Sequence, residues 1–166
     1  SFGGRVIHVD PYSKVADYSA LSMLISQRGV TFFTDTYVTV DPTCDEVAEM
    51  TLLAAEEIRR FGIEPKAALL SHSDFGSRDT STAQKMRKAA EILRRIAPDL
   101  EADGEMHGDS ALSEVLRKRV YPHSTLTGEA NLLVFPHLDS ANITLTTVKT
   151  MMDALHVGPI LLGTAK

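Results

Sequence analysis

The sequence predicts an α/β lobe: a three-layer, open, mainly parallel sheet with helices on both faces, Rossmann-like in plan. Three observations carry that prediction. Short apolar runs such as Ala67-Ala-Leu-Leu70 and Leu132-Leu-Val-Phe135 alternate with amphipathic stretches of about 10 to 18 residues. The short runs are apolar at every position, as strands buried on both faces are. Each run ends in a turn rich in Ser, Gly, Asp or Pro, and the turn leads into a helix start.

Taken in order, Val6-Ile-His-Val9 reads as a short strand closed by Asp10-Pro11. From Ser19 to Thr36 the pattern reads as a hairpin: Leu21, Met23 and Ile25 alternate, Gln27-Arg-Gly29 turns, and Val30-Thr-Phe-Phe-Thr34 is β-rich. A helix over Ala16–Gln27 is the alternative. Thr43 caps the next helix, with Glu46 three residues on as its capping-box partner. Val47, Met50, Ala54, Ile58 and Phe61 share one face of it, and Gly62 ends it. Lys66–Ser71 is a buried strand. Ser81-x-x-Gln84 reads as a second capping box, with Met86, Ala90, Leu93 and Ala97 inward and Pro98 as the stop. The rest of that helix is basic, a face expected in solvent. Leu100–His107 is strand plus loop. Leu112, Val115, Leu116 and Val120 mark a short helix before Pro122. Asn131–Phe135 is a strand stopped by Pro136. Ser140–Leu155 is helical with Val148, Met151, Met152 and Leu155 inward, and Gly158–Leu162 is a buried last strand.

The totals bound the class. The 166 residues, 43% hydrophobic, suffice for one lobe with a real core. A formal net charge of −5 argues against a nucleic-acid surface, which needs clustered cations. Cys44 is alone, so no internal disulfide forms and a reducing, cytoplasmic setting is the simpler reading. No apolar run is long enough for a membrane span, and no secretory leader is visible. The featureless Ser1-Phe-Gly-Gly4 and a strand at the very end suggest that residues 1–166 are a single lobe of a longer polypeptide.

Ligands of open α/β sheets collect beyond the carboxyl ends of the strands. Three loops qualify: Ser71–Ser77, Gly104–Asp109 and Pro136–Asn142. The first offers hydroxyls and free N–H groups at a helix start, with Arg78 and Lys85 as anion partners. The binding candidates are Ser71, Ser73, Gly76, Ser77, Arg78, Lys85, Asp109 and Asn142. A capping or turn role is the competing reading for Ser71, Ser73, Gly76 and Asp109. None is read as catalytic. The six histidines lack HxxxH spacing, so no metal site is expected, and no Gly-x-Ser-x-Gly, Walker A or Gly-x-Gly-x-x-Gly motif occurs.

Five segments, in order, resemble the phosphate acetyl/butyryl transferase family. They are Asp35–Thr43, Phe61–Ser71, Gly104-Glu-Met-His-Gly-Asp-Ser-Ala111, Phe135-Pro-His-Leu-Asp-Ser-Ala-Asn142 and Gly158-Pro-Ile-Leu-Leu-Gly163. Ser71-x-Ser73-x-Phe75-Gly76-Ser77 is similar to the family's Ser-x-Ser loop. Its Phe-Gly variant resembles the copy of the domain fused behind the catalytic half of bacterial NADP-dependent malic enzymes. The resemblance implies one lobe of a two-lobed domain, with the ligand cleft between lobes and the Ser-Arg and Asp used in catalysis lying beyond Lys166. It implies acetyl-CoA or a related CoA thioester as ligand, self-association, and a parent that uses NADP with Mg or Mn to convert malate to pyruvate. Missing from this chain are the second lobe and the malic-enzyme half. Acyltransferases of the family often carry Lys or Gly where this chain has Asp74-Phe75, and Lys where it has Thr146. Those departures point to a regulatory sensor rather than a transferase.

Overall fold

The computed structural model describes residues 18–163. The predicted strand at Val6–Val9 lies outside them. Ser19–Ser26 (β1) and Gly29–Thr34 (β2) form the antiparallel hairpin expected, with Leu21 opposite Thr34 and Ser26 opposite Gly29. The helical alternative for this stretch is therefore wrong: Ser19–Leu24 are buried in an unbroken run, as in a strand covered on both faces.

Cys44–Arg60 (α1) starts at Thr43, whose hydroxyl accepts the Glu46 N–H at 3.2 Å. Gly62, at φ +77°, ends the helix. Its N–H donates to Arg59 O and the Ile63 N–H to Ile58 O, the paired bonds of a Schellman cap. Lys66–Leu70 (β3) follows, then Ser81–Ile96 (α2). The cap of α2 is Thr80, not Ser81. Its hydroxyl accepts the Ala83 N–H at 3.3 Å, but Ala83 has no side chain to reach back and Gln84 Nε2 donates to Asp79 O, so the expected capping box does not form.

Glu101–Met106 (β4) leads to two short helices, Gly108–Leu112 (α3) and Glu114–Val120 (α4). Asp109 does not cap α3, because the chain already turns at His107. Leu132–Val134 (β5) precedes Leu138–Met151 (α5), capped by His137. Leu155–Leu162 (β6) closes the described chain.

The sheet runs β4-β3-β5-β2-β1-β6. The junctions β4-β3, β3-β5 and β5-β2 are parallel, and the two made by β1 are antiparallel. Alternate residues of each strand face opposite layers. Phe32, Leu69, Leu132 and Val134 meet α1 and α2 on one face. Phe33, Leu70, Leu133 and Phe135 meet α3 and α5 on the other. The three-layer plan is as expected.

Two details depart from it. Only Ala141 and Leu145 of α5 are buried, while Met151 is 81% exposed and Leu155 is 62% exposed. The helix stops before Leu155, so the assumed inward register fails there. β6 is an edge strand with most residues exposed or half-buried, not a buried one. Nor is the basic side of α2 simply solvated. Arg87 reaches Glu105 at 3.0 Å, Arg94 reaches Asp103 at 3.3 Å, and both acids are buried on β4.

Candidate functional site

β3 and β5 lie side by side, yet the chain leaves β3 into α2 on one face and leaves β5 into α5 on the other. Neighbouring strands whose helices diverge leave a crevice at their carboxyl ends. A cavity of about 320 Å³ fills it, walled by Ser71, His72, Thr82, Pro136, His137 and Ser140. No carboxylate is among its wall residues. The first turns of α2 and α5 both border it, through Thr82 and Ser140, so the positive ends of two helix dipoles point toward one space.

The loop from Ser71 to Thr80 is tied to itself. Ser71 Oγ accepts the Ser73 N–H at 3.1 Å, and Ser77 Oγ accepts the Asp74 N–H at 3.0 Å. Ser73 is fully buried, and its hydroxyl accepts the Arg78 N–H at 3.0 Å. It therefore shapes the loop from inside. Gly76 sits at φ +92° and gives its N–H to Glu105 at 2.6 Å. Phe75, at φ +44°, holds a backbone conformation that side chains disfavour. Its ring stacks on Tyr121 with centroids 4.4 Å apart, which holds it there.

Neighbouring loops are tied to this one. The His107 N–H donates to Asp74 Oδ1 at 2.8 Å, its Nδ1 lies 3.0 Å from Asp74 Oδ2, and Nε2 donates to His72 O at 2.8 Å. Lys85 Nζ donates to Pro136 O at 2.6 Å and to Asp41 Oδ1 at 2.9 Å. Lys85 thus clamps three segments, and its ammonium holds the Asp41 carboxyl below the ordinary range. Asn142 Nδ2 donates to Thr36 O at 3.1 Å, fastening α5 to the end of β2. There the buried Asp35 carboxylate accepts the N–H groups of Ala20, Tyr37, Val38 and Thr39.

Glu105 anchors the whole arrangement. Burial pushes its carboxyl above the ordinary value of 4.5, while the Gly76 N–H and Arg87 pull the other way. Gly104, just before it, has φ +147°, and a Cβ there would stand 2.6 Å from Leu69 O. Only glycine lets β4 lie this close to β3.

Of the eight residues singled out from sequence, Ser71 borders the crevice directly. Gly76, Lys85 and Asn142 spend their polar groups on bonds between segments, and Ser77 spends its hydroxyl within its own loop. Asp109 is 69% exposed and accepts the Ser110 N–H at 2.8 Å. The Arg78 side chain is exposed, and its guanidinium has no hydrogen bond or ion pair with the described residues. Sequence reasoning missed His72, Thr82, His107, His137, Arg87 and Glu105. A signal for the last pair was present. Glu101-Ala-Asp-Gly-Glu105 puts three carboxylates into one core strand, which demands cations from a neighbouring element.

The model of the phosphate acetyl/butaryl transferase family matches residues 5–166. The NAD-dependent malic enzyme of Rhizobium meliloti (strain 1021) is 71% identical over 153 residues, covering 92% of this chain and 20% of that protein. The NADP-dependent malic enzyme of Escherichia coli (strain K12) is 49% identical over 148 residues, covering 89% and 20%. A crystal structure of a phosphotransacetylase from Streptococcus pyogenes superposes with a TM-score of 0.89 at 33% identity, covering 97% of this chain and 49% of that one. The chain thus spans about a fifth of the length of the malic enzymes it matches.

Proposed function

The chain belongs to the phosphate acetyl/butaryl transferase family, and from that membership we propose that it is the acyl-CoA-sensing and assembly lobe of a malic enzyme. Its strong likeness to the phosphotransacetylase-like part of malic enzymes supports this reading. The observation that carries it is the crevice between β3 and β5. Hydroxyls, imidazoles and two helix N-termini surround it and carboxylates do not, and the loop that leads from it to α2 carries Arg78, exposed and without a guanidinium partner among the described residues. Such a place receives an anion such as the phosphates of a CoA thioester.

The parent oxidatively decarboxylates malate to pyruvate with a nicotinamide cofactor and a divalent metal. The residues here do not fit either group. No three His, Cys, Asp or Glu side chains among the described residues converge on one point, and the dinucleotide fingerprint is missing. The lobe acts on that reaction only by linkage: a ligand held more tightly in one state of the enzyme shifts the balance of states. Assembly rests on the apolar surface around Met151, Leu155 and Leu161, which the described residues leave exposed. No helix among them is long and apolar enough to cross a membrane.

A transferase lobe is the second reading, favoured by the likeness to the Streptococcus pyogenes phosphotransacetylase. Asp74 weakens it. Where family transferases often carry a Lys or Gly, this carboxylate holds His107 in place.

Arg78→Ala in the full-length enzyme tests the sensor. Loss of one charge-assisted hydrogen bond, about 1.5–3 kcal/mol, raises the acetyl-CoA concentration needed to change malate turnover by roughly ten- to a hundredfold. Far-UV circular dichroism stays unchanged. An unaltered acetyl-CoA response in a folded variant removes this loop from the reading.

A further inference from the structure

Arg78 is an exposed side chain on a fixed backbone. Its N–H donates to the hydroxyl of Ser73 at 3.0 Å, and Ser73 is fully buried. From the other side its carbonyl accepts Nη2 of Arg87 at 2.9 Å. Arg87 is aimed there by a partner of its own. Its Nε donates to Glu105 Oε2 at 3.0 Å, and that carboxylate is fully buried on β4. Glu105 also grips the loop directly. Its carbonyl accepts the Phe75 N–H at 2.8 Å, and its Oε1 accepts the Gly76 N–H at 2.6 Å. Phe75 and Gly76 are the two loop residues at positive φ, so Glu105 holds the loop in a shape it would not keep unaided.

A buried ion pair adds little to stability, because desolvation offsets most of the attraction. What this one supplies is direction. The planar fork of Arg87 bonds Glu105 along one edge and the Arg78 carbonyl along another, which a single ammonium does not do. The loop leaves the crevice at Ser71 and His72 and returns to it at Thr82, so whatever fixes the loop fixes two parts of that wall. Resting on the sensor reading above, we propose that Arg87 and Glu105 are positioning residues for the anion contact of Arg78. They stand behind the loop and set ligand affinity by holding the Arg78 backbone in one place. Binding then has only the Arg78 side chain left to order, which lowers its entropic cost. Arg94, about two turns further along α2, is the internal comparison. It pairs with the buried Asp103 at 3.3 Å, yet makes no hydrogen bond to the loop. Asp103 is also held by the N–H groups of Gly104 and Thr125 and by the Ser124 hydroxyl.

The test is calorimetric titration of the full-length polypeptide with acetyl-CoA. Arg87→Lys keeps a cation beside Glu105, so the buried carboxylate stays paired, but it gives up the Arg78 carbonyl. Affinity falls roughly fivefold to tenfold, within the range seen for coupled neighbours. In an Arg78→Ala background the same substitution changes affinity by less than about twofold, because the residue it acts through is gone. Glu105→Gln, which removes the charge that aims Arg87, follows the same pattern. Arg94→Lys, a matching cut on the same helix, leaves affinity as it was. A loss in Arg87→Lys that persists in full without the Arg78 side chain overturns the positioning role. So does an equal loss in Arg94→Lys, which would mean that α2 had merely loosened. Unaltered affinity in Arg87→Lys overturns it too, and leaves the sensor reading standing. If Arg78→Ala alone leaves acetyl-CoA affinity untouched, the sensor reading and this one fall together.

Discussion

The two faces of the sheet are built by different means. One is covered by α1 and α2, helices of 17 and 16 residues whose buried positions are Ala, Met, Val, Ile and Leu apart from Thr51. Small residues such as Ala54, Ala89 and Ala90 bring these helices close to the strands, and every one of them is fully buried. The other face is covered by α3, α4 and α5, and there polar chemistry substitutes for apolar packing. Arg117 of α4 is fully buried and donates to the carbonyls of Ser110, Ala111, Leu126 and Gly128 at 2.7 to 3.5 Å. A guanidinium hydrogen-bonded to four carbonyls thus staples α3 to the loop that follows α4. The lesson is that a sheet can be rigid on one side and accommodating on the other.

The largest expected effect tests that staple. Arg117→Ala strands buried carbonyls and costs at least about 3 kcal/mol in urea unfolding. Arg117→Met, which keeps the length of the side chain, fails to restore it. Recovery by Met would mean that volume, not hydrogen bonding, holds this face. Next in size is a direct contrast between faces. Leu93→Ala, in the packed layer, costs about 2–5 kcal/mol, whereas Val148→Ala, beside a cavity of about 310 Å³ between α3 and α5, costs less than about 1 kcal/mol. Equal losses would erase the distinction drawn above.

The smallest effect concerns pH. The folded-state carboxyl of Glu105 is raised above its ordinary 4.5, chiefly by burial. The folded protein therefore holds that proton more tightly than the unfolded chain does. Stability from this group is present below pH 4.5 and declines as pH climbs through the folded value. In Glu105→Gln the decline disappears from the unfolding midpoint measured between pH 4 and 7. A difference between the wild-type and Glu105→Gln midpoints that grows in favour of the wild type as pH rises through that window contradicts the assignment.

How far the sequence reaches differs by face in the same way. α1 and α2 are legible because apolar spacing, cap and stop agree: Thr43 with Gly62 in one, Met86 to Leu93 before Pro98 in the other. The hairpin is legible from alternation. α5 is not, since Val148, Met151, Met152 and Leu155 keep helical spacing past the end of the helix, and the pattern runs on into β6 without a break. The three loops are visible as polar insertions after buried strands. Their internal wiring is not, because bonds such as Lys85 to Pro136 O and Gly76 N to Glu105 join residues 51 and 29 positions apart. Spacing along a chain carries no trace of such closures. Hence residues proposed as ligand contacts, Ser73 and Gly76 among them, have their polar groups engaged in holding the loop.

β6 is an edge strand, and among the described residues one side of its eight-residue backbone ladder has no neighbour. An open rim of that kind recruits strands from other chains and seeds fibres. Two features disarm it. The β1-β6 pairing shifts register between Leu21 and Met23, which twists the strand locally. At the same place Pro159 has no N–H to offer an incoming strand. The rim therefore resists templated growth even though Leu155 and Leu161 of the same strand are exposed among the described residues.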